Sequence, residues 1–426
     1  MTEGVPPKID SMTFNSLPAT VDEAFFLPLK GLVQTSPHTR PCPEFSDDEM
    51  LRLGIVRVLE TSASGRAFLQ EHGPRFPKTP AHGHYFSTLR SGRRLKVLRD
   101  VSQALITRAT LPNRLDHIPE LASYRCFAAD GHWHKAAAHD PRHDGAKMAV
   151  GHFYSLSLET HILRHLATAK GLHEHDMSAL KRVMPKGLRQ GVPQGPRVLV
   201  VYDKAGIDFD YWKRCRKECA VYFLSRVKEN MAYDWIEDRE WDRTDPRQHG
   251  VTHDRRVMNR DGHLLRIIGY TDPVGGEAFE FVTNDMDLPP GVLVELYRRR
   301  WEAEKVFDEI KNKLGEKKAW AMSLAAKEAQ AQLVCITHNL LMIYEARLEK
   351  EHGVRNEAED QRRAQRAEAA AEACAQAGSP LSTLLQGARK ATQCSVKFIR
   401  WLRQSIRDQL AETTAAPRLK ALYASL

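Results

Sequence analysis

The segment "PRVLVVYDKAGIDFDYWKRCRKECAVYFLSRVKEN", residues 196–230, constrains the fold more than any other part of the chain. An apolar β run bounded by Pro196 ends in Asp203, a loop enters a helix-like stretch, and a second strand follows. Strands joined through a helix pair side by side within an α/β sheet. Upstream the same texture recurs: "SYRCFAAD" ends in Asp130, "KMAVGHFYSLSL" is a second β run, and "ETHILRHLATAKG" reads as a helix. From about residue 230 to 284 the pattern is mostly β, with turn signals at Asp261-Gly262 and Gly275-Gly276. Helical periodicity returns at "PPGVLVELYRRRWEAEKVFDEIKNKL" and runs to about residue 350.

Helices flank this α/β region. Residues 1 to about 45 are rich in Pro, Thr and Ser and read as an arm. Ser46 and Glu49 form a capping box ahead of a helix, and "GRAFLQEHGP" is a second helix stopped at Gly73-Pro74. In "HYFSTLRSGRRLKVLRDVSQAL", Arg90, Arg93, Arg94, Lys96 and Arg99 lie beside Tyr85 and Phe86, a basic helical stripe suited to DNA. Beyond residue 350 comes the Ala-rich "EDQRRAQRAEAAAEACAQAG", ended by Gly378-Ser379-Pro380, and then a basic amphipathic helix in "SVKFIRWLRQSIRDQL".

At 426 residues the chain is too long for one simple core, and 42% hydrophobic with 27% charged residues is an ordinary globular balance. The apolar run "AQLVCITHNLLMIY" is broken by His338 and Asn339 and is too short to span a bilayer. "MTEGVPPKIDSMTF" has no basic start followed by an apolar stretch, so no secretory signal is expected. Seven scattered cysteines fit reduced thiols in a cytosol, with Cys215 and Cys219 read as helix residues. A net charge of +9 points to polyanionic partners, nucleic acid first.

On a helix, Tyr297, Arg300, Glu304 and Lys311 fall within about 60° of one another. Ala303, Val306, Phe307, Ile310 and Leu314 make the neighbouring apolar stripe, while Glu302, Lys305 and Glu309 take the outer side. As an isolated i,i+4 pair, Arg300 and Glu304 would contribute only about 0.3–0.5 kcal/mol. The upstream carboxylates change that weighing. Asp130 and Asp203 each close an apolar β run, and ligands of open α/β sheets bind beyond strand carboxyl ends. With Glu304 they make three hard oxygen donors, a set suited to two Mg²⁺ or Mn²⁺ ions and to in-line cutting or joining of phosphodiester bonds. Asp140, Asp144, Asp208, Asp210 and Asp308 are near enough in sequence to compete for these places. The histidines of "DGHWHKAAAHDPRHD" (His132, His134, His139 and His143) match no zinc spacing and read as a polar loop.

The pattern Y-(2)-R-(3)-E-(6)-K resembles the signature of bacterial cut-and-paste insertion-sequence transposases of the family named after insertion sequence four. Tyr297, Arg300, Glu304 and Lys311 match it residue for residue. "EFVTNDMDLPPGVLVELYRRRW" is similar to its lead-in, "VVYDKAGIDF" to its second-Asp segment with "YFLSRVKEN" the strand after it, and "FAADGHW" to its first-Asp segment. The resemblance covers about residues 120–345 and implies an RNase H-like core with an Asp130–Asp203–Glu304 triad holding two divalent ions. Tyr297, Arg300 and Lys311 would contact DNA, alongside Arg90, Arg93 and Arg94 of the N-terminal stripe. The implied division is an N-terminal arm and helical DNA-binding domain (1–118), core (119–228), β-rich insertion (229–284), core (285–350) and a C-terminal helical region (351–426) for dimerisation or DNA contact. Such enzymes act in the bacterial cytoplasm, at the nucleoid, as dimers on paired terminal repeats of double-stranded DNA and on target DNA. In some members a flipped base of a hairpin stacks on an insertion-domain aromatic, a place for Trp235 or Trp241. The rival readings are a stand-alone metal-dependent nuclease and a DNA-binding protein without catalysis.

Overall fold

The computed structural model describes residues 20–424, apart from 61–63, 76–79, 138–139, 141, 144–145, 148–149, 171–173, 175, 190, 274–275, 315–316 and most of 358–393. Outside the described residues lie most of the expected N-terminal arm, Asp144, His139, Gly275, most of the Ala-rich segment and its Gly378-Ser379-Pro380 stop.

Five strands build the first part of a nine-stranded sheet: β1 (Tyr124–His134), β2 (Val150–Ser157), β3 (Leu163–Thr168), β4 (Arg197–Val201) and β5 (Val221–Arg226). Four more extend it: β6 (Tyr233–Asp238), β7 (Val251–Asn259), β8 (Leu264–Thr271) and β9 (Ala278–Thr283). Their spatial order is β3-β2-β1-β4-β5-β9-β8-β7-β6. β1 runs parallel to β4, and β4 to β5, as the helical crossover predicts. All other neighbours are antiparallel. The β-rich segment after residue 230 is therefore joined to the core sheet by hydrogen bonds from Phe281, Val282 and Thr283 to β5. One expectation fails here. "ETHILRHLATAKG" supplies edge strand β3, because Leu163 and Thr168 are buried against β2 and a long helix beneath it, and pairing with β2 together with packing on that helix outweighs its helical pattern.

Among the described residues, the α-helices longer than four residues are α1 (Val21–Phe26), α2 (Asp47–Leu59), α3 (Gly65–His72), α4 (His82–Leu89), α5 (Gly92–Arg108), α6 (Asp176–Lys181), α7 (Phe209–Cys219), α8 (Pro290–Arg298), α9 (Trp301–Asn312), α10 (Leu324–His352), α11 (Val396–Arg407) and α12 (Glu412–Ala424). Their starts are locally encoded. Ser46 and Glu49 make the capping box of α2, and Ser91, Asp208, Ser323 and Ser395 cap α5, α7, α10 and α11. α10 ends at Gly353, whose φ of +60° is the left-handed cap that glycine adopts without strain.

α10 is buried on nearly every side from Ala326 to Met342, the pattern of a core helix rather than a surface one. It lies between β3 on one side and α2 and α5 on the other. At Gly54 of α2 the two helices cross so closely that a Cβ would stand 2.6 Å from a Leu333 methyl. The expected arm is helical from Val21, with Val21 and Phe25 in the core. Phe398, Ile399, Trp401 and Leu402 of "FIRWLRQ" are buried within this same body, against α1 and α12. Arg407 meets Glu60 and Glu71 of the N-terminal helices.

Candidate active site

Asp130 lies within β1 rather than at its end, facing Tyr154 of β2. Pairing of β1 with β4 stops at Ala128 and Val201, so Asp130 and Asp203 both stand two residues past the last parallel partners. That register brings them to the same edge of a narrow cleft, with Gly131, Phe153, Tyr202 and Gly206 around them. Asp203 closes the turn after β4: its Oδ1 accepts from the Ala205 N–H at 2.9 Å, and its carbonyl accepts from Ser225 Oγ at 2.8 Å.

The third carboxylate arrives on α9. The expected single helix through "YRRRWEAEKVFDEIK" is broken between Arg298 and Trp301, where Arg300 and Ala303 bond back three residues instead of four. This tight turn leaves Tyr297 on α8, buried with its ring 4.8 Å from that of Phe281. Arg300 stands at the break. One guanidinium nitrogen lies 2.8 Å from Asp130 Oδ2 and another 2.9 Å from Glu304 Oε1, so the cation bridges the β1 and α9 carboxylates. Lys311 is exposed one face along α9, and its charge reaches His132.

Burial pushes Asp130 up to about 6. Arg300 and the Gly131 N–H pull against that rise, while the Asp203 and Glu304 charges add to it. The donor set fits a hard divalent cation: three carboxylates, on β1, beyond β4 and on α9, repel one another in a partly dry place. Among the described residues, no three His, Cys, Asp or Glu side chains stand close enough to cage an ion unaided, and Arg300 provides the positive charge between Asp130 and Glu304.

The competing carboxylates are occupied elsewhere. Asp140 accepts from the Ala137 N–H and pairs with Lys327; Asp208 caps α7; Asp210 is exposed beside His263; Asp308 accepts from Asn312. His132 and His134 belong to β1 and are buried, not loop residues, and burial lowers both to about 4. In the N-terminal stripe Arg90 is exposed, but Arg93 grips both Asp47 oxygens at 2.6 and 2.8 Å, and Arg94 is buried against Asp47 and the Phe45 carbonyl. Both guanidinium groups share the single Asp47 carboxylate, and Arg94 is buried with it. Trp235 is 62% exposed rather than core, and Arg243 sits over the Trp241 ring.

Residues 126–340 match the family described as the transposase DDE domain, half of the chain. The chain belongs to that family. It is a DNA transposase, and the matched span starts in β1, ends in α10 and contains Asp130, Asp203 and Glu304. No curated protein sequence matches this transposase. Among solved structures, the piggyBac transposase synaptic complex with hairpin DNA is similar at a TM-score of 0.40 and 9% identity, over 96% of this chain and 85% of that one. So slight a likeness carries no further argument.

Sequence reasoning missed Glu302 and Glu309, assigned to the outer side of α9. Glu309 is fully buried and Glu302 is paired with His161. The wheel shows which face is apolar and is blind to polar partners arriving from α10 and the β2–β3 turn. A signal did exist in His338 and Asn339, the polar pair inside the apolar run of α10.

Proposed function

We propose that this transposase cuts and joins DNA phosphodiester bonds with Asp130, Asp203 and Glu304 as its catalytic carboxylates, in the manner of the insertion-sequence-four family. The observation that carries the reading is the Arg300 bridge, which draws a mid-strand aspartate and a helix glutamate together beside a second strand-end aspartate. The order β3-β2-β1-β4-β5, three antiparallel strands and then two parallel ones, supports an RNase H-like core, with β6–β9 as its insertion. The division at residues 118, 228, 284 and 350 is part of this proposal.

Asp130, Asp203 and Glu304 would hold two Mg²⁺ or Mn²⁺ ions, which would supply activation of the attacking water or 3′-hydroxyl and stabilisation of the leaving oxygen. The chain's own groups do the rest. Arg300 turns its planar fork from the carboxylates to a phosphate of the DNA, and Lys311 adds a point charge from the exposed side of α9. Tyr297 backs the guanidinium, whose carbon lies 5.9 Å from its ring centre. Trp235 projects from β6 toward solvent, where a flipped base could stack on it. The partners are double-stranded terminal repeats and target DNA, bound by a dimer in a bacterial cytoplasm, at the nucleoid.

The deciding experiment is cleavage of DNA bearing the ends of the flanking element, with Mg²⁺ or Mn²⁺, by wild type and Glu304→Ala. Metal-dependent cutting that disappears in the mutant while DNA binding persists supports the reading. Equal binding with no cutting by either protein would leave a DNA-binding protein without catalysis. Cutting without joining of the 3′-hydroxyl to a second DNA would leave a nuclease.

A further inference from the structure

Two glutamates seven residues apart, Glu302 and Glu309, lie on one stripe of α9, and each is held by a buried histidine. Glu302 Oε2 is 2.6 Å from His161 Nε2, and Glu309 Oε1 is 2.9 Å from His338 Nδ1. The histidines are joined in turn: His338 Nε2 lies 3.0 Å from the His161 carbonyl oxygen. That oxygen only accepts, so Nε2 carries a hydrogen, and the Nδ1–Oε1 contact holds one further proton on one partner or the other. A closed circuit therefore runs from α9 to the β2–β3 turn, on to α10, and back to α9.

Three further details tighten the circuit. His161 has φ of +57°, a left-handed conformation that a non-glycine residue keeps when its surroundings over-determine it. Asn339, the neighbour of His338, bonds both the N–H and the carbonyl of Leu163, fixing α10 to the start of β3. Glu309 Oε2 accepts from the Cys394 N–H at 2.5 Å, just ahead of α11.

Two anchors about two turns apart fix both the rotation of a helix and its position along its axis. Glu304 is two residues from Glu302, about 200° around α9, and so faces away from the histidines and toward Asp130. A slip of one residue would turn the helix by about 100° and carry Glu304 out of reach. We infer that His161 and His338 are positioning residues, which lock α9 so that Glu304 faces Asp130 across the Arg300 bridge rather than turning away from it. The inference rests on the reading of Glu304 as a catalytic carboxylate.

The test compares full-length wild type, His161→Asn, Glu309→Ala, Glu309→Gln and Glu304→Ala. Asn tolerates the left-handed backbone but is too short to reach Glu302. Gln at 309 still accepts from Cys394 and donates to a neutral His338, whereas Ala does neither. At a temperature where all the proteins are folded, the maximal cleavage rate in Mn²⁺, the DNA affinity, and Mn²⁺ binding to the protein–DNA complex by calorimetry are measured. His161→Asn and Glu309→Ala should cleave about 100-fold more slowly, the cost of a misplacement on the order of 1 Å. They should bind Mn²⁺ more weakly and DNA unchanged, and Glu309→Gln should keep most of the wild-type rate and Mn²⁺ affinity. Wild-type cleavage and Mn²⁺ binding by folded His161→Asn and Glu309→Ala would overturn the inference, as would a Glu309→Gln as impaired as Glu309→Ala. Glu304→Ala separates the two levels. If it cleaves, the underlying reading fails; if it is inactive while His161→Asn is unimpaired, only the positioning role fails.

Discussion

Arg300 makes two charge-assisted contacts with one planar group, to Asp130 and to Glu304. A lysine has a single ammonium and can neither span both carboxylates nor grip a phosphate bidentately in the same geometry. Loss of one such contact removes about 1.5–3 kcal/mol, so Arg300→Lys should slow cleavage about 10- to 100-fold, which a single-turnover assay would read. Arg94 poses the opposite case. Its removal leaves the buried Asp47 with Arg93 alone, and should lower stability by about 3 kcal/mol in denaturant unfolding while DNA affinity stays unchanged. Arg90, exposed on the same segment, is the place where substitution should weaken DNA binding and flatten its salt dependence. The carboxylates of the site were legible because each follows an apolar run or sits in a spaced signature. The fate of Arg93 and Arg94 was not, because their partner lies 46 positions or so earlier in the chain and a charge count does not name partners.

α8 meets the β-rich segment at Gly291, where an added Cβ would stand 1.9 Å from the backbone oxygen of Arg247. Neither backbone can yield cheaply. Gly291→Ala should therefore lower the melting midpoint, at a cost of about 1–3 kcal/mol or more, and calorimetry should show it without any change at the carboxylates. Elements with a clean local code were legible in full: the Ser46–Glu49 capping box, the β4–α7–β5 crossover, and α9 with its apolar stripe. Those decided by distant partners were not. β3 carries a helical pattern and becomes a strand between β2 and α10, and the break before Trp301 follows from how α8 and α9 seat on the sheet rather than from a proline or glycine.

Across the whole molecule, buried histidines set the response to acid. Burial pushes His134 and His161 down to about 4 and His165 to about 3. An unfolded histidine takes up its proton near 6.5, so the unfolded chain binds more protons below that pH. Each of these groups contributes stability that is present above about 6.5 and is lost as pH falls toward 4, about 3 kcal/mol apiece before their coupling is allowed for. Glu159 and Asp130, raised by burial to about 7 and about 6, act with the opposite sign, but with His132, also lowered to about 4, they are two groups against four. The melting midpoint should fall steeply from pH 6.5 to 4, and calorimetry across that range would check it. α/β character and basic charge were legible at this scale; the joining of α1 to α11 and α12 was not, since no local pattern announces it. The Val21 N–H bonds the Leu410 carbonyl at 2.9 Å, and α1 packs against α11 and α12 beside Tyr344 in the C-terminal half of α10. That closure has a kinetic meaning. During synthesis Val21, Phe25 and one flank of α10 stay uncovered until the last helices are made, so the chain passes much of its early life as a sticky, unfinished bundle. A contact spanning nearly the whole sequence is also slow to find. A chain stopped short of Ser395 should aggregate and bind hydrophobic dyes, and the last helices should set the pace at which newly made protein becomes soluble and active.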